Sequence, residues 1–75
     1  MKIGLLYKVI GIEIYEGSIV RLMDYEGSDM FPCKIQYVKA YYRSERRKSL
    51  DGDSNGFHEK NLTVIMEMNR NGANS

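Results

Sequence analysis

The stretch "DGDSNGF", which begins at Asp51, has the residue types of a calcium-binding loop. Asp51, Asp53 and Asn55 stand at the first, third and fifth positions of an EF-hand loop. Gly56 stands at the sixth position, where that loop turns sharply, but Leu62 occupies the twelfth, which requires a bidentate glutamate. These residue types are also the commonest in turns. The leading interpretation is therefore a plain solvent loop, with Asp51, Asp53 and Asn55 as a weak calcium candidate and no cofactor expected.

A cluster of cations and tyrosines precedes this stretch in the segment "YYRSERRK". Arginine combined with nearby aromatic rings can hold phosphates, stack on bases or anchor a protein interface. The alternative is a solvated loop whose cations are neutralised by Glu45, Asp51 and Asp53. We predict a partner-binding surface, formed by Tyr41, Tyr42, Arg43, Arg46, Arg47 and Lys48.

Residues suited to catalysis are sparse in this chain. Cys33 and His58 are the one possible thiol and imidazole pair, and a cysteine after Pro32 in an apolar segment is typical of a small core residue. No spacing of histidine and cysteine fits zinc, and no glycine-rich loop resembles a phosphate cradle before a helix. The sequence therefore predicts a protein that is not an enzyme.

The composition limits the classes of partner and the location. Of the 75 residues, 43% are hydrophobic and 28% are charged, which is ordinary for one folded domain with a core. A formal net charge of +1 gives no overall attraction to nucleic acid or anionic lipid, so charge recognition must be local. The single cysteine fits a reducing cytosol, and no apolar run reaches the length of a membrane helix. We expect a cytoplasmic protein that does not bind membranes.

Segments rich in valine, isoleucine and tyrosine are bounded by turn residues, as is typical of strands. In the third of them, Cys33, Ile35 and Tyr37 share one parity. Val38 and Ala40 share the other parity, which predicts a β-bulge or barrel corner near Tyr37. The segments are "LLYKVIGIEIY", "SIVRLMDY", "CKIQYVKAYY" and "LTVIMEM".

The region 37–49 has two competing interpretations. Val38, Tyr41 and Tyr42 are spaced about one helical turn apart, and good helix formers follow them, which favours a helix. The aromatic side chains and Val38 favour an extended strand instead. An extended conformation is the leading prediction, with the helix as its alternative.

These patterns predict a mainly β fold, a small and partly open β-barrel of SH3-like size with four or five strands. The polar segment 43–61 is too long for a tight turn and is expected to form one long polar loop. Residues 1–70 are predicted to form a single domain, followed by a flexible tail at 71–75. In the last strand, positions 62, 64, 66 and 68 fall on one apolar face. Exposed sheet edges favour a homo-oligomer.

The segment "IGLLYKVIGIEIYEGSIVRL" resembles a motif of the YopX-like family of phage and prophage proteins, G-L-x-D-x-x-G-x-E-I-Y-E-G-D-I-V. Ser18 replaces the usual aspartate of that motif, and one extra residue separates Gly4 from Gly11. Only the C-terminal half of the family pattern is represented, and "VIMEMNRN" resembles its closing stretch. The matched positions are Gly4, Leu5, Gly11, Glu13, Ile14, Tyr15, Glu16, Gly17, Ile19 and Val20.

The residues of this motif can also be explained by their structural roles alone, without the family resemblance. Gly17 permits a turn, and Tyr15 and Ile19 are expected to flank it as core residues. Glu13 and Glu16 are expected to lie in solvent.

The resemblance implies a small β-barrel accessory protein of a phage and implies no catalytic activity. Together with the tyrosine and arginine cluster, it predicts a non-catalytic protein that binds and inhibits or modulates a host or defence protein in a bacterial cytoplasm. The alternative is a module that sequesters a nucleotide or a single-stranded nucleic acid on the same cations. That alternative predicts steep salt dependence of binding.

Overall fold

The computed structural model describes residues 1–65, which form short strands and single-turn 3-10 helices. The strands are β1 (Leu6–Val9), β2 (Ile19–Asp24), β3 (Cys33–Lys39), β4 (Tyr41–Tyr42), β5 (Glu45–Arg46), β6 (Ser54–Phe57) and β7 (Leu62–Val64). The 3-10 helices are Glu13–Tyr15, Lys48–Leu50 and Glu59–Asn61. One antiparallel sheet has the strand order β6-β3-β2-β1-β7, and β4 pairs with β5 in a separate hairpin. The five-stranded sheet does not close, so the predicted mainly β, partly open barrel is confirmed.

The core lies on the inward face of this sheet, as alternation along the strands predicts. In β2, Val20 and Leu22 are fully buried while Arg21 between them is exposed. Burying a side chain such as Leu22 or Ile35 contributes about 1.5–3 kcal/mol, so a few such residues supply much of a small domain's stability. The buried cluster consists of Tyr7, Val9, Val20, Leu22, Cys33, Ile35, Tyr37, Ala40, Phe57 and Leu62.

A β-bulge lies where the sequence predicts a bend in the third strand. Ile19 pairs with Lys39 and the next residue, Val20, pairs with Tyr37, so Val38 is an extra residue on β3. The bulge changes the alternation, and Ala40 is buried after it. The extended conformation predicted for 37–49 is confirmed as far as Arg46, apart from the turn at 43–44, and a 3-10 helix begins at Lys48. The alternative of one helix over 37–49 is wrong.

The polar segment 43–61 is mostly exposed, and it carries strands that the sequence did not predict. Its strand β6 pairs with β3, and Phe57 at the end of that strand is buried opposite Cys33. Ser54, Asn55 and Gly56 have low β-propensity, so pairing with β3 and burial of Phe57 decide the local structure.

The final strand begins at the buried Leu62, but Val64 on the same parity is half exposed. The predicted alternation continues at positions 66 and 68, and the predicted domain end and tail follow, all outside the described residues. Within residues 1–65, no helix is long and apolar enough to cross a membrane.

Candidate functional site

The hairpin of β4 and β5 presents the predicted partner-binding residues around a two-residue turn. Arg43 and Ser44 form this turn with φ values of 55° and 70°, which are the left-handed angles of a type I′ turn. Asparagine and glycine are preferred there, and other L-residues cost roughly 1–2 kcal/mol each in this conformation. The Arg43 N–H donates to the Ile14 carbonyl at 2.6 Å. This bond fastens the strained turn to the 3-10 helix that precedes β2.

Ser18 fixes the base of the hairpin. It is fully buried, and its Oγ accepts from the Tyr41 N–H at 2.8 Å and donates to the Tyr41 carbonyl at 3.1 Å. The ionised aspartate of the resembling family motif can only accept hydrogen bonds, whereas a hydroxyl both donates and accepts. The departure at Ser18 therefore has a local structural reason, which sequence reasoning did not find because residues 18 and 41 lie far apart in the chain.

Tyr42 is the centre of the exposed part of this surface. The guanidinium carbons of Arg43 and Arg47 lie 5.5 and 5.3 Å from its ring centroid. The ring of Tyr15 packs edge-on against it, with centroids 5.8 Å apart. Each cation–π contact contributes about 0.5–1 kcal/mol at an exposed site. The contacts order two exposed guanidinium groups against one ring before any partner binds.

Arg46 has a different environment from its neighbour Arg47. Its Nη1 donates to Asp51 Oδ1 at 2.6 Å and its Nη2 to Asp51 Oδ2 at 2.5 Å, and both side chains are about 30% exposed. The Ala40 N–H also donates to Asp51 Oδ1 at 3.0 Å. These bonds, that of Arg46 first, lower the pKa of Asp51 to about 2. Arg46 and Asp51 thus brace the base of the hairpin.

The other predicted cations remain exposed. Within the part of the chain that the structure describes, the only ion pair is that of Arg46 and Asp51, so Arg43, Arg47 and Lys48 have no carboxylate partner there. Lys48 begins the second 3-10 helix, and Tyr41 is half-buried above Ser18. We define the Tyr–Arg surface as Tyr41, Tyr42, Arg43, Arg46, Arg47 and Lys48.

The three calcium-candidate residues are placed in different settings. Asp51 is held by Arg46, and the Asp53 carbonyl accepts from the Tyr37 N–H at 2.9 Å. The Asn55 side chain donates from Nδ2 to the Tyr37 hydroxyl at 2.8 Å. Among residues 1–65, no three side chains of histidine, cysteine, aspartate or glutamate lie in a group that could hold a metal ion. The loop geometry thus gives Asp51 and Asn55 protein partners.

Cys33 and His58 are both accounted for by local structure. Cys33 is fully buried, and burial raises the pKa of its thiol. Its Sγ lies 3.8 Å from the sulfur of Met1. His58 accepts from the Lys60 N–H through Nδ1 at 3.4 Å, beside the third 3-10 helix. Cys33 is therefore a core residue, as predicted.

An open groove that the sequence did not predict runs beside β6, with a volume of about 820 Å³. Its apolar walls include Ile12, Tyr15, Phe31 and Phe57. We call it the seam groove, because it lies at the end strand of the open sheet. A smaller cavity of about 290 Å³ is lined by Tyr15, Tyr42 and Arg47 among others. Tyr15 lines both, so the seam groove and the cavity beside Tyr42 share one wall residue.

A polar pair lies beneath this groove. The Asn55 amide donates to the hydroxyl of Tyr37, and the Tyr15 ring lies 5.8 Å from the Tyr37 ring. Burial raises the pKa of Tyr37 to about 12. Asn55 lines the groove, while Tyr37 is buried behind it.

Within the segment that resembles the YopX-like motif, the residues from Gly11 to Gly17 lie between β1 and β2. Gly17 adopts φ of 86°, which confirms the predicted glycine turn, and Tyr15 packs against the core. Glu13 and Glu16 are exposed, as predicted. Comparison with family models, curated proteins and solved structures gave no match for the chain. Membership of the YopX-like family therefore stays a prediction.

Proposed function

We propose that this chain is a non-catalytic, phage-derived accessory protein that binds a host or defence protein in the bacterial cytoplasm and inhibits or modulates it. The observation that carries the proposal is the ordered contact of Arg43 and Arg47 with the Tyr42 ring at the tip of a strained hairpin. Strained residues held by surrounding structure are typical of functional sites. The phage setting rests on the resemblance of the "GIEIYEGSIV" segment.

The chemistry of the Tyr–Arg surface suits a protein partner with carboxylates. Tyrosine and arginine are the commonest anchors of protein interfaces, because they combine a large apolar area with directional hydrogen bonds. Side chains that are ordered before binding lose less conformational entropy when the partner arrives. Arg43, Arg47 and Lys48 supply the positive charge, and Tyr42 supplies the apolar contact.

The second candidate is a module that sequesters a nucleotide or a single-stranded nucleic acid. The cavity of about 290 Å³ beside Tyr42 and Arg47 favours it, since it could take a phosphate or part of a base. A base stacked on Tyr42 would have to displace a contact already made by Arg43, Arg47 or Tyr15. For this reason the protein partner is the leading proposal.

Capture from a lysate of phage-infected bacteria tests the proposal and separates the two candidates. Tagged protein is compared with the double variant Arg43→Gln/Arg47→Gln, and mass spectrometry identifies retained proteins and nucleotides. The matched control is Lys8→Gln/Lys60→Gln, which removes two exposed charges outside the Tyr–Arg surface. We expect one stoichiometric protein that the control retains and the double variant loses. If the double variant retains the protein as well as the control does, the Tyr–Arg surface is not the binding site. A retained nucleotide would favour the second candidate.

A further inference from the structure

The seam groove lies along a sheet edge. β6 is the end strand of the five-stranded sheet, and all of its residues, 54–57, line the groove. An edge strand presents backbone N–H and C=O groups that can pair with an added strand. The other walls include Ile12, Tyr15 and Phe31, with one charged residue of each sign, Glu26 and Lys34.

Backbone geometry identifies the groups that point to this edge. The Tyr37 N–H donates to the Asp53 carbonyl at 2.9 Å. The backbone groups of positions 53, 55 and 57 therefore point towards β3. Alternation in an antiparallel pair then directs the backbone groups of Ser54 and Gly56 away from β3. The Gly56 N–H is satisfied by Asn55 Oδ1 at 2.8 Å. The Ser54 N–H is therefore the donor that an added strand would use.

The aromatic rings connect this edge with the cations. The Tyr15 centroid lies 5.9 Å from that of Phe57 and 5.8 Å from that of Tyr42, beside which Arg47 lies. These two distances set an upper limit on the separation of Phe57 and Tyr42, and an extended chain rises roughly 3.3 Å per residue, so no more than about four residues would cross it. One segment can thus reach both the groove and the exposed guanidinium groups.

We propose that the seam groove binds an extended, acidic segment of the protein partner as an added strand on β6. An apolar side chain of that segment lies between Ile12, Phe31 and Phe57. An acidic side chain within about four residues of it binds Arg47, which makes no ion pair with a carboxylate of the described residues. The proposal rests on the proposed function, because it names the form in which the partner binds the same surface.

The test is panning of a random dodecapeptide library on the tagged protein, followed by fluorescence anisotropy with an enriched peptide. We expect enriched peptides to pair an apolar residue with an acidic residue at the stated spacing. Ser54→Pro removes the outward N–H while leaving the bonds to β3, and Ser54→Thr keeps it. We expect at least tenfold weaker binding for Ser54→Pro and little change for Ser54→Thr. Hydrogen exchange of the Ser54 amide in the unmodified protein should slow when the peptide is bound.

The outcomes separate this inference from the proposed function. The added strand is overturned if no peptide is enriched. It is also overturned if Ser54→Pro binds the peptide as tightly as wild type and the peptide does not slow exchange of the Ser54 amide. If partner capture still depends on Arg43 and Arg47 in that case, the proposed function stands alone. A concentration-dependent dimer that Ser54→Pro dissociates would assign the edge to a second copy and would also overturn the inference. If Ser54→Pro does not fold, the Ser54 exchange measurement decides.

Discussion

Arg46 and Arg47 are neighbours in the sequence, but the structure gives them different roles. Arg46 makes two hydrogen bonds to Asp51, whereas Arg47 is exposed beside Tyr42. We expect Arg46→Gln to lower the melting temperature clearly, because it leaves Asp51 without its main partner. Arg47→Gln should lower the free energy of unfolding by no more than about 1 kcal/mol, because it removes one exposed cation–π contact with Tyr42. Thermal and urea unfolding of the two variants measure the contrast, and equal effects would contradict it.

The ion pair also predicts how stability depends on pH. In the folded protein the pKa of Asp51 is about 2, against an ordinary value of 3.8. Because the folded value is the lower one, this contribution is present above pH 3.8 and is lost as the pH falls towards 2. Urea unfolding of wild type and Asp51→Asn between pH 5 and pH 2 tests this. Their difference in stability should shrink as the pH falls, and a constant difference would exclude the ion pair as its source.

At the scale of residues, the sequence predicted the side chains of the surface better than the side chains that support the hairpin through hydrogen bonds. Tyrosine and arginine in one segment indicated Tyr42 and Arg47, because their surface chemistry does not depend on the rest of the fold. Ser18 was missed as a support of the hairpin, and Asp51 was considered only as one of three acids that could neutralise the cations. Their roles require residues from other segments, Tyr41 for Ser18 and Ala40 with Arg46 for Asp51.

Among the elements, the β4–β5 hairpin contains the strain. Ser44 has φ of 70°, where glycine has no steric penalty. We expect Ser44→Gly to raise the free energy of unfolding by about 0.5–1 kcal/mol, since relief of strain exceeds the entropy that glycine adds to the unfolded chain.

Ser49→Gly is the matched control for this prediction. Ser49 is exposed in the second 3-10 helix and does not have a positive φ, so glycine there should lower stability slightly. Urea unfolding of both variants measures the difference. A Ser44→Gly protein no more stable than the Ser49→Gly protein would show that the turn is not strained.

Strands were predictable where alternation and β-branched residues coincide, and not elsewhere. The strands β2 and β3 were predicted from the alternation that includes Val20, Leu22 and Ile35. The bulge at Val38 was predicted from the change of parity in β3. The strand β6 was not predicted, because its sequence has the composition of a turn. Its conformation comes from the pairing with β3 and from the anchor Phe57, which are tertiary effects.

For the whole molecule, the class of fold followed from length, composition and the spacing of turn residues. The seam groove could not follow from these, because it depends on how far the sheet curls before it ends at β6. The stretch "DGDSNGF", which resembles a calcium loop, illustrates the same limit. Which groups these side chains bind depends on the tertiary fold, and Asp51 and Asn55 bind protein groups.

Salt dependence distinguishes the two classes of partner at this scale. A single-stranded nucleic acid whose phosphates are neutralised by Arg43, Arg47 and Lys48 should bind about twenty-fold more weakly at 200 mM than at 50 mM salt, from roughly 0.7 counterions released per phosphate. A protein partner should lose only a few-fold, because its carboxylates carry no condensed counterions to release and part of its affinity comes from apolar contact with Tyr42. Binding measured across this range decides between them, and a steep decrease would contradict the protein partner.

The most direct test of the account is the affinity of the purified captured partner for the wild type and two variants, measured by titration calorimetry. If the Tyr–Arg surface is the interface, Arg43→Gln/Arg47→Gln should weaken binding by about thirty-fold or more, as loss of interface anchors typically does. The control Lys8→Gln/Lys60→Gln should bind within about twofold of wild type, since rim and remote charges contribute little. Equal affinities for wild type and Arg43→Gln/Arg47→Gln would contradict the proposed interface.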